Sequence, residues 1–171
     1  MRVISGKYKG HSINKVPFHG TRPTQARVRK SMLQILEPFH EKSVLDLFAG
    51  SGILGIEAVS RGADSLVSIE NDKKIFKLLN KNLSKVCKQD NYECVLIDAM
   101  KFLESSNKKF DFIICDPPYD KYDYLEIFNK SVHLLNHRGV FCMEMRKKDV
   151  DKSIFRTKIY GNTQIIIWEA I

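Results

Sequence analysis

From residue 43 onward the chain alternates two apolar patterns. Short runs, at Val44-Leu45-Asp46-Leu47-Phe48, Leu66-Val67-Ser68-Ile69-Glu70, Cys94-Val95-Leu96-Ile97, Phe110 to Cys115 and Val140 to Met145, have the length and continuity of buried strands. Between them, apolar residues recur at helical spacing. One helix is predicted from about Ile53 to Arg61, ended by Gly62. A second covers about 72–86, with Ile75, Leu78, Leu79 and Leu83 on one face and lysines opposite. A third covers about 122–135, with Leu125, Phe128, Val132 and Leu135 turned inward. Repeated strand, helix, strand implies a mostly parallel, doubly wound α/β sheet. Near the end, runs at about 153–159 and 163–168 flank Tyr160-Gly161-Asn162, which predicts a closing hairpin with at least one antiparallel strand.

The first 42 residues are patterned differently. Residues 2–16 read as a small hairpin, with Gly6 and Gly10 at turn positions and Val3, Ile4, Tyr8 and Ile13 as packing residues. A loop from Pro17 to Pro23 leads to Thr24, placed to cap a helix that runs to about Leu36 and is stopped by Pro38. Val28, Met32, Ile35 and Leu36 form its apolar face, and Arg27, Arg29 and Lys30 lie mostly off it. A basic extension, 1–42, is therefore expected ahead of an α/β domain, 43–171.

Composition narrows the function classes. The chain has 171 residues and 43% apolar content, enough to give one domain a real core. No apolar run exceeds four residues, so no membrane span is expected, and the start lacks the apolar middle of a secretion signal; a cytoplasmic location is expected. The four cysteines form no C-x-x-C pair and the five histidines no ligand spacing, so no metal site is expected, and Cys94, Cys115 and Cys142, inside apolar runs, are expected to be buried thiols. Charge matters more by placement. Residues 1–43 hold nine of the 28 Lys/Arg and only two of the 20 Asp/Glu, nearly the whole surplus of +8. That segment is patterned rather than low in complexity, so it reads as a phosphate-binding patch and not a solubilising tail.

Candidate chemistry sits at the strand ends. Asp116-Pro117-Pro118-Tyr119 follows directly on the Phe112-Ile113-Ile114-Cys115 run. The prolines continue neither sheet nor helix, so the chain is held stiff where open α/β sheets bind ligands. A carboxylate, a prolyl carbonyl and an aromatic ring are presented together, a set that suits a planar ring bearing an amino group. Upstream, Asp46-Leu47-Phe48-Ala49-Gly50-Ser51-Gly52 places two glycines in a strand-to-helix turn, where a side chain would block a ligand lying on the backbone. Glu70 ends the next strand, where an acid accepts the ribose hydroxyls of an adenosine. Asp98 closes the third strand, placed to accept from an adenine amino group, with the Ala99 amide facing a ring nitrogen. Singly, Asp46 also reads as a turn-stabilising carboxylate, Glu70 as a helix cap and Asp98 as an N-cap.

Together these residues resemble the class I S-adenosylmethionine-dependent methyltransferases. Asp46–Gly52 looks like their glycine motif, Glu70 like the ribose acid, Asp98 like the adenine-side residue, and Asp116–Tyr119 like the (Asp/Asn)-Pro-Pro-aromatic motif of base-amine methylases. Along nearly its full length the chain is similar to the bacterial 16S rRNA guanine-N2 methyltransferase family of RsmD type. Met1-Arg2-Val3-Ile4-Ser5-Gly6-Lys7, Arg22-Pro23-Thr24 with Arg27-Val28-Arg29, Asp46–Gly52 and Tyr160-Gly161 carry that likeness. The chain departs from it in having Lys30 where Glu is frequent, and Phe18 and His19 in a glycine-poor loop. The resemblance implies a Rossmann-like fold that binds S-adenosylmethionine through Asp46, Phe48, Gly50, Gly52, Glu70, Asp98 and Ala99. It implies catalysis by Asp116, Pro117 and Tyr119 on a guanine N2 amine. Small-subunit ribosomal RNA, in a partly assembled particle, is the expected partner, bound by Lys7, Lys9, Arg22, Arg27, Arg29 and Lys30 with Tyr8 and Phe18 stacking. Arg22 or Arg27 is equally placed to meet the cofactor's carboxylate. A monomer without metal is expected.

Three rivals remain at this level. A DNA adenine-N6 or cytosine-N4 methylase shares the Asp-Pro-Pro-Tyr motif but needs a sizeable region to read groove edges, and no segment is spare for it. A nicotinamide-dependent dehydrogenase leaves Asp116–Tyr119 without a use. A non-catalytic RNA-binding module leaves the whole strand-tip set without one.

Overall fold

The computed structural model describes residues 1–17, 26–119 and 121–171. Helix α1 (Ala26–Leu36) precedes strand β1 (Ser43–Asp46). The chain then runs through α2 (Ile53–Ser60), β2 (Ser65–Glu70), α3 (Lys73–Val86), β3 (Tyr92–Leu96), α4 (Ala99–Ser105) and β4 (Phe110–Cys115). It closes with α5 (Tyr124–Ser131), a 3-10 turn (Val132–Leu134), β5 (Leu135–Arg146), β6 (Arg156–Tyr160) and β7 (Thr163–Glu169). The strands form one seven-stranded sheet in the order β3-β2-β1-β4-β5-β7-β6. β1 to β5 pair in parallel, and β7 runs antiparallel to both β5 and β6. This is a Rossmann-like α/β sheet with the antiparallel closing hairpin that the sequence predicts. The order reverses between β1 and β4, and a crevice opens at the carboxyl ends there.

Alternation along the strands builds two cores. On β4, Phe112 and Ile114 point to the face covered by α1, α2 and α3, while Ile113 and Cys115 point to the face covered by α4 and α5. On β1, Val44 joins the first core and Leu45 the second. The basic extension packs on the same frame. Val3, Ile13, Val28, Met32 and Leu33 are buried in the first core beside Ile56, Val59 and Leu66. Residues 2–16 form a tight double-back held by the Arg2–Ser12 bridge rather than by two long strands. Gly6, at φ +81, lies against the end of α2, where a Cβ would overlap the Ser60 carbonyl. That close approach lets the Lys7 amide donate to the Ser60 carbonyl at 2.7 Å.

Two elements differ from the sequence expectation. α4 has seven residues, too few turns to show a periodicity, so the sequence pattern does not reveal it. α5 ends at Ser131 because Leu135 is already paired with Phe110 in the sheet. Its buried face is Tyr124, Ile127, Phe128 and Ser131, which turns Leu125 out to solvent. Among the described residues no helix is long and apolar enough to cross a membrane.

Candidate active site

The carboxyl ends of β1, β2 and β4 border one open cavity of about 750 Å³. Phe48, Ala49, Gly50 and Ser51 from the glycine turn line one wall, with Glu70, Asn71 and Asp72 from the end of β2. Asp116, Pro117, Pro118 and Tyr119 line the opposite wall. Strand pairing brings the walls together: Asp46 of β1 is in register with Ile114 of β4, and the Leu47 amide donates to the Ile114 carbonyl at 3.0 Å. Lys15, Lys121, Tyr122, Arg146 and Asn162 complete the mouth.

Local chemistry shapes each wall. Gly50 has φ +52, and a Cβ there would meet nothing within 4 Å. The backbone at this point is thus bare and borders open space. The Gly50 amide donates to Glu70 Oε2 at 3.0 Å, and the Asn71 and Asp72 amides both donate to Oε1 at 2.9 Å. A carboxylate has about four acceptor positions. Glu70 therefore pins the turn and keeps one acceptor position, on Oε2. Phe48 stands against the Tyr122 ring with centroids 5.2 Å apart. A small annex beside Glu70, of about 20 Å³, is lined by Phe48, Asn71, Ile97 and Ala99.

On the other wall Asp116 is half-buried and Pro117 buried, so the pair is fixed by the strand beneath it. Tyr119 is tethered by its hydroxyl, which donates to Glu144 Oε1 at 2.8 Å and lies 3.1 Å from Thr163 Oγ1. Burial, with Glu144 adding, pushes its phenol up to about 12, so it stays a donor. Arg146 lies over the ring, 5.5 Å from the centroid. The sequence reading does not select Glu144, Thr163 or Arg146. An acid inside the apolar run Val140-Phe141-Cys142-Met143-Glu144-Met145 was the available signal.

Several expected site residues stand elsewhere. Asp46 does not line the cavity; strand alternation turns it, like Val44, towards α2, where Oδ2 accepts from the Gly55 amide at 3.0 Å. Burial pushes its carboxyl up to about 7. Gly52 is left-handed at φ +81, and a Cβ there would lie 2.6 Å from Leu79 Cδ1. It serves close packing of the turn on α3, not ligand clearance. Asp98 caps α4, accepting from the Met100 and Lys101 amides at 3.0 and 3.2 Å, with the Tyr122 hydroxyl 3.5 Å away.

The expected RNA contacts divide too. Arg29 is 3% exposed and turned inward, 3.5 Å from Glu57 and donating to the Arg2 carbonyl at 3.3 Å. The helix face that carries it, Val28, Arg29, Met32 and Leu36, packs against α2, so it is no surface cation. Lys7 is ion-paired with Asp90, whose other oxygen accepts from Tyr8 at 2.6 Å. Lys9, Arg27 and Lys30 are exposed. Arg22, Phe18 and Thr24 lie outside the described residues.

Comparison with known proteins adds to this geometry. The family described as Conserved hypothetical protein 95 matches residues 1–169. The Bacillus subtilis (strain 168) protein YlbH is 32% identical over 181 residues, covering 99% of this chain and 98% of that one. The ribosomal RNA small subunit methyltransferase D of Escherichia coli (strain K12) is 34% identical over 140 residues, covering 81% and 68%. Among solved structures, the yhhF protein of Escherichia coli superposes with a TM-score of 0.87 at 28% identity, covering 99% of this chain and 97% of that one.

Proposed function

This chain belongs to the RsmD family of class I S-adenosylmethionine-dependent methyltransferases, and on that basis we propose that it methylates the N2 amine of a guanine in small-subunit ribosomal RNA. The observation that carries this reading is the shared cavity, with the glycine turn and Glu70 on one wall and Asp116 to Tyr119 on the other. The donor-side residues fit a nucleoside: open backbone at Gly50, a remaining acceptor position on Glu70, and the Phe48 ring. S-adenosylmethionine, when bound, supplies a methyl group made electrophilic by a sulfonium.

The protein's task is then placement. Guanine N2 is a weak nucleophile because its lone pair is delocalised into the ring. Asp116 and the Pro117 carbonyl accept the two amino hydrogens and draw the nitrogen towards tetrahedral geometry. Tyr119 holds the plane of an unstacked base, a contact worth about 1–3 kcal/mol. Its tether to Glu144 sets the ring before substrate arrives. The methyl group gained at N2 would be the one released by the sulfonium, which would become a thioether, and Asp116 would take the surplus N2 proton. Most of the acceleration comes from near-attack positioning. The work takes place in the cytoplasm, on RNA in a partly assembled small-subunit particle.

The test is methyl transfer from labelled cofactor to small-subunit RNA, to partly assembled particles and to duplex DNA, with the product base mapped by mass spectrometry. Label on a guanine N2 in RNA is expected. Label on adenine or cytosine amines of duplex DNA would overturn the reading. Asp116→Ala should lose at least ~100-fold in turnover while binding cofactor as before.

A further inference from the structure

Edge strand β6 carries two cations on the sheet face where α1 packs, although residues 44–171 as a whole are nearly charge-balanced, with 19 Lys/Arg and 18 Asp/Glu. Its register against β7 pairs Arg156 with Ile167, Lys158 with Ile165 and Tyr160 with Thr163. Directly opposed residues share a face of a sheet, and Ile165 and Ile167 belong to the core under α1 and α2. Arg156, Lys158 and Tyr160 therefore stand in line on the α1 face, successive side chains about 7 Å apart. From the side, α1 closes over Tyr160: the Arg27 guanidinium lies 5.5 Å from the ring centroid and Ser31 hydrogen-bonds the phenol. Lys30 follows Arg27 at i+3, on the adjoining helix surface. Arg27, Lys30, Arg156 and Lys158 are all exposed, and among the described residues none is ion-paired. One end of the strip meets the active site, because Asn162 in the β6–β7 turn lines the cavity mouth with Arg146.

We propose that this strip is a track for the sugar-phosphate backbone of single-stranded RNA flanking the target nucleotide. It leads from the cavity mouth over Tyr160 to Lys158 and Arg156 at the open end of β6. Continuity with a cavity built for a base favours RNA over an acidic peptide added along the β6 edge. The partner class rests on the RNA reading above; the charge geometry does not. Cations on a straight strand suit an extended backbone, whose phosphates recur at regular steps.

The test uses the full chain, a fluorescent single-stranded RNA oligonucleotide and a salt titration. Arg156→Glu with Lys158→Glu is compared with Lys77→Glu plus Lys81→Glu, two exposed lysines of α3, which packs at the opposite, β3 edge of the sheet. The β6 pair should weaken RNA binding at least tenfold and make the slope of log affinity against log salt shallower by about 1.4, two single-strand phosphates. The α3 pair should leave both unchanged. Thermal unfolding of each variant, and the Arg156→Gln, Lys158→Gln pair, separate lost charge from lost fold. Equal affinity and slope in the β6 variant and wild type would overturn the track. So would an equal loss in the α3 variant, or salt-insensitive binding of an acidic peptide that competes with RNA. Methyl transfer measured in parallel keeps the two claims apart. Charge-dependent RNA binding without methylation sinks the enzyme reading alone, and methylation with unaltered binding sinks the track alone.

Discussion

Alanine at Gly52 and alanine at Gly50 should damage the protein in different ways, because only one of the two glycines faces the cavity. Both are left-handed, at φ +81 and +52, so either substitution costs about 1–2 kcal/mol in backbone conformation. At Gly52 the new Cβ also lies 2.6 Å from Leu79 Cδ1, on a fully buried side chain. Leu79 Cδ1 is a chain end and can turn aside, which sets the overpacking cost near its lower bound of about 1 kcal/mol. Gly52→Ala should therefore destabilise by about 2–3 kcal/mol, a fall in Tm of about 4–12 °C for a domain of this size. The folded fraction should bind S-adenosylmethionine within about threefold of wild type, a change of about 0.7 kcal/mol. Gly50→Ala meets nothing within 4 Å, so the fall in Tm stays at about 2–8 °C. Its methyl group stands on the open wall beside Glu70, and cofactor affinity should drop at least ~10-fold, or ~1.4 kcal/mol. Differential scanning calorimetry and titration calorimetry with the cofactor read the two quantities separately. Wild-type affinity in Gly50→Ala, or an equal loss of affinity in Gly52→Ala, would refute the assignment of roles within the turn.

Four other side chains carry expected outcomes of their own. Burial holds the Asp46 carboxyl at about 7 against an ordinary value of 3.8. Between those values the folded chain keeps a proton that the unfolded chain has lost. Stability from this group therefore falls as pH rises from about 4 to about 7, by at most about 4 kcal/mol. Asp46→Asn should flatten that slope in urea unfolding measured across this range, and an unchanged slope would count against it. Tyr119→Phe keeps the ring and loses the tether to Glu144, so kcat should fall ~10-fold, or ~1.4 kcal/mol, with the KM for RNA nearly unchanged; wild-type kcat would contradict the positioning role. Arg29→Ala strips a cation from the buried Glu57 carboxylate and should cost about 3–5 kcal/mol. Lys30→Ala should cost under about 0.5 kcal/mol yet weaken RNA binding, and denaturation beside RNA titration checks both.

Prolines, glycines and apolar runs made the strand order of events legible, since each acts on its nearest neighbours. Phe110–Cys115 could be bounded from sequence because Asp116-Pro117-Pro118 ends the strand chemically. Glu70 and Gly50 were assignable to one site because both sit where a strand stops. The three acids divided for reasons the alternation of one strand cannot reveal. Asp46 and Glu70 both end strands, but α2 covers the first while the second bends into the turn and onto Gly50. Asp98 went to a helix cap because α4, unseen in the pattern, begins at Ala99. Arg29 is a cation by composition and a core residue by position, since Glu57 lies 28 residues ahead of it on the helix that α1 packs against.

The sequence by itself determined the element types, the stiff Asp-Pro-Pro-Tyr tip and the open glycine turn, all set by backbone chemistry within a few residues. Only the tertiary structure decided which side chains face the cavity, that Glu144 and Thr163 hold Tyr119, and that Arg156 and Lys158 share the sheet face on which Arg27 meets Tyr160. Those outcomes depend on strand order and register, which join residues far apart along the chain through packing that no local pattern encodes.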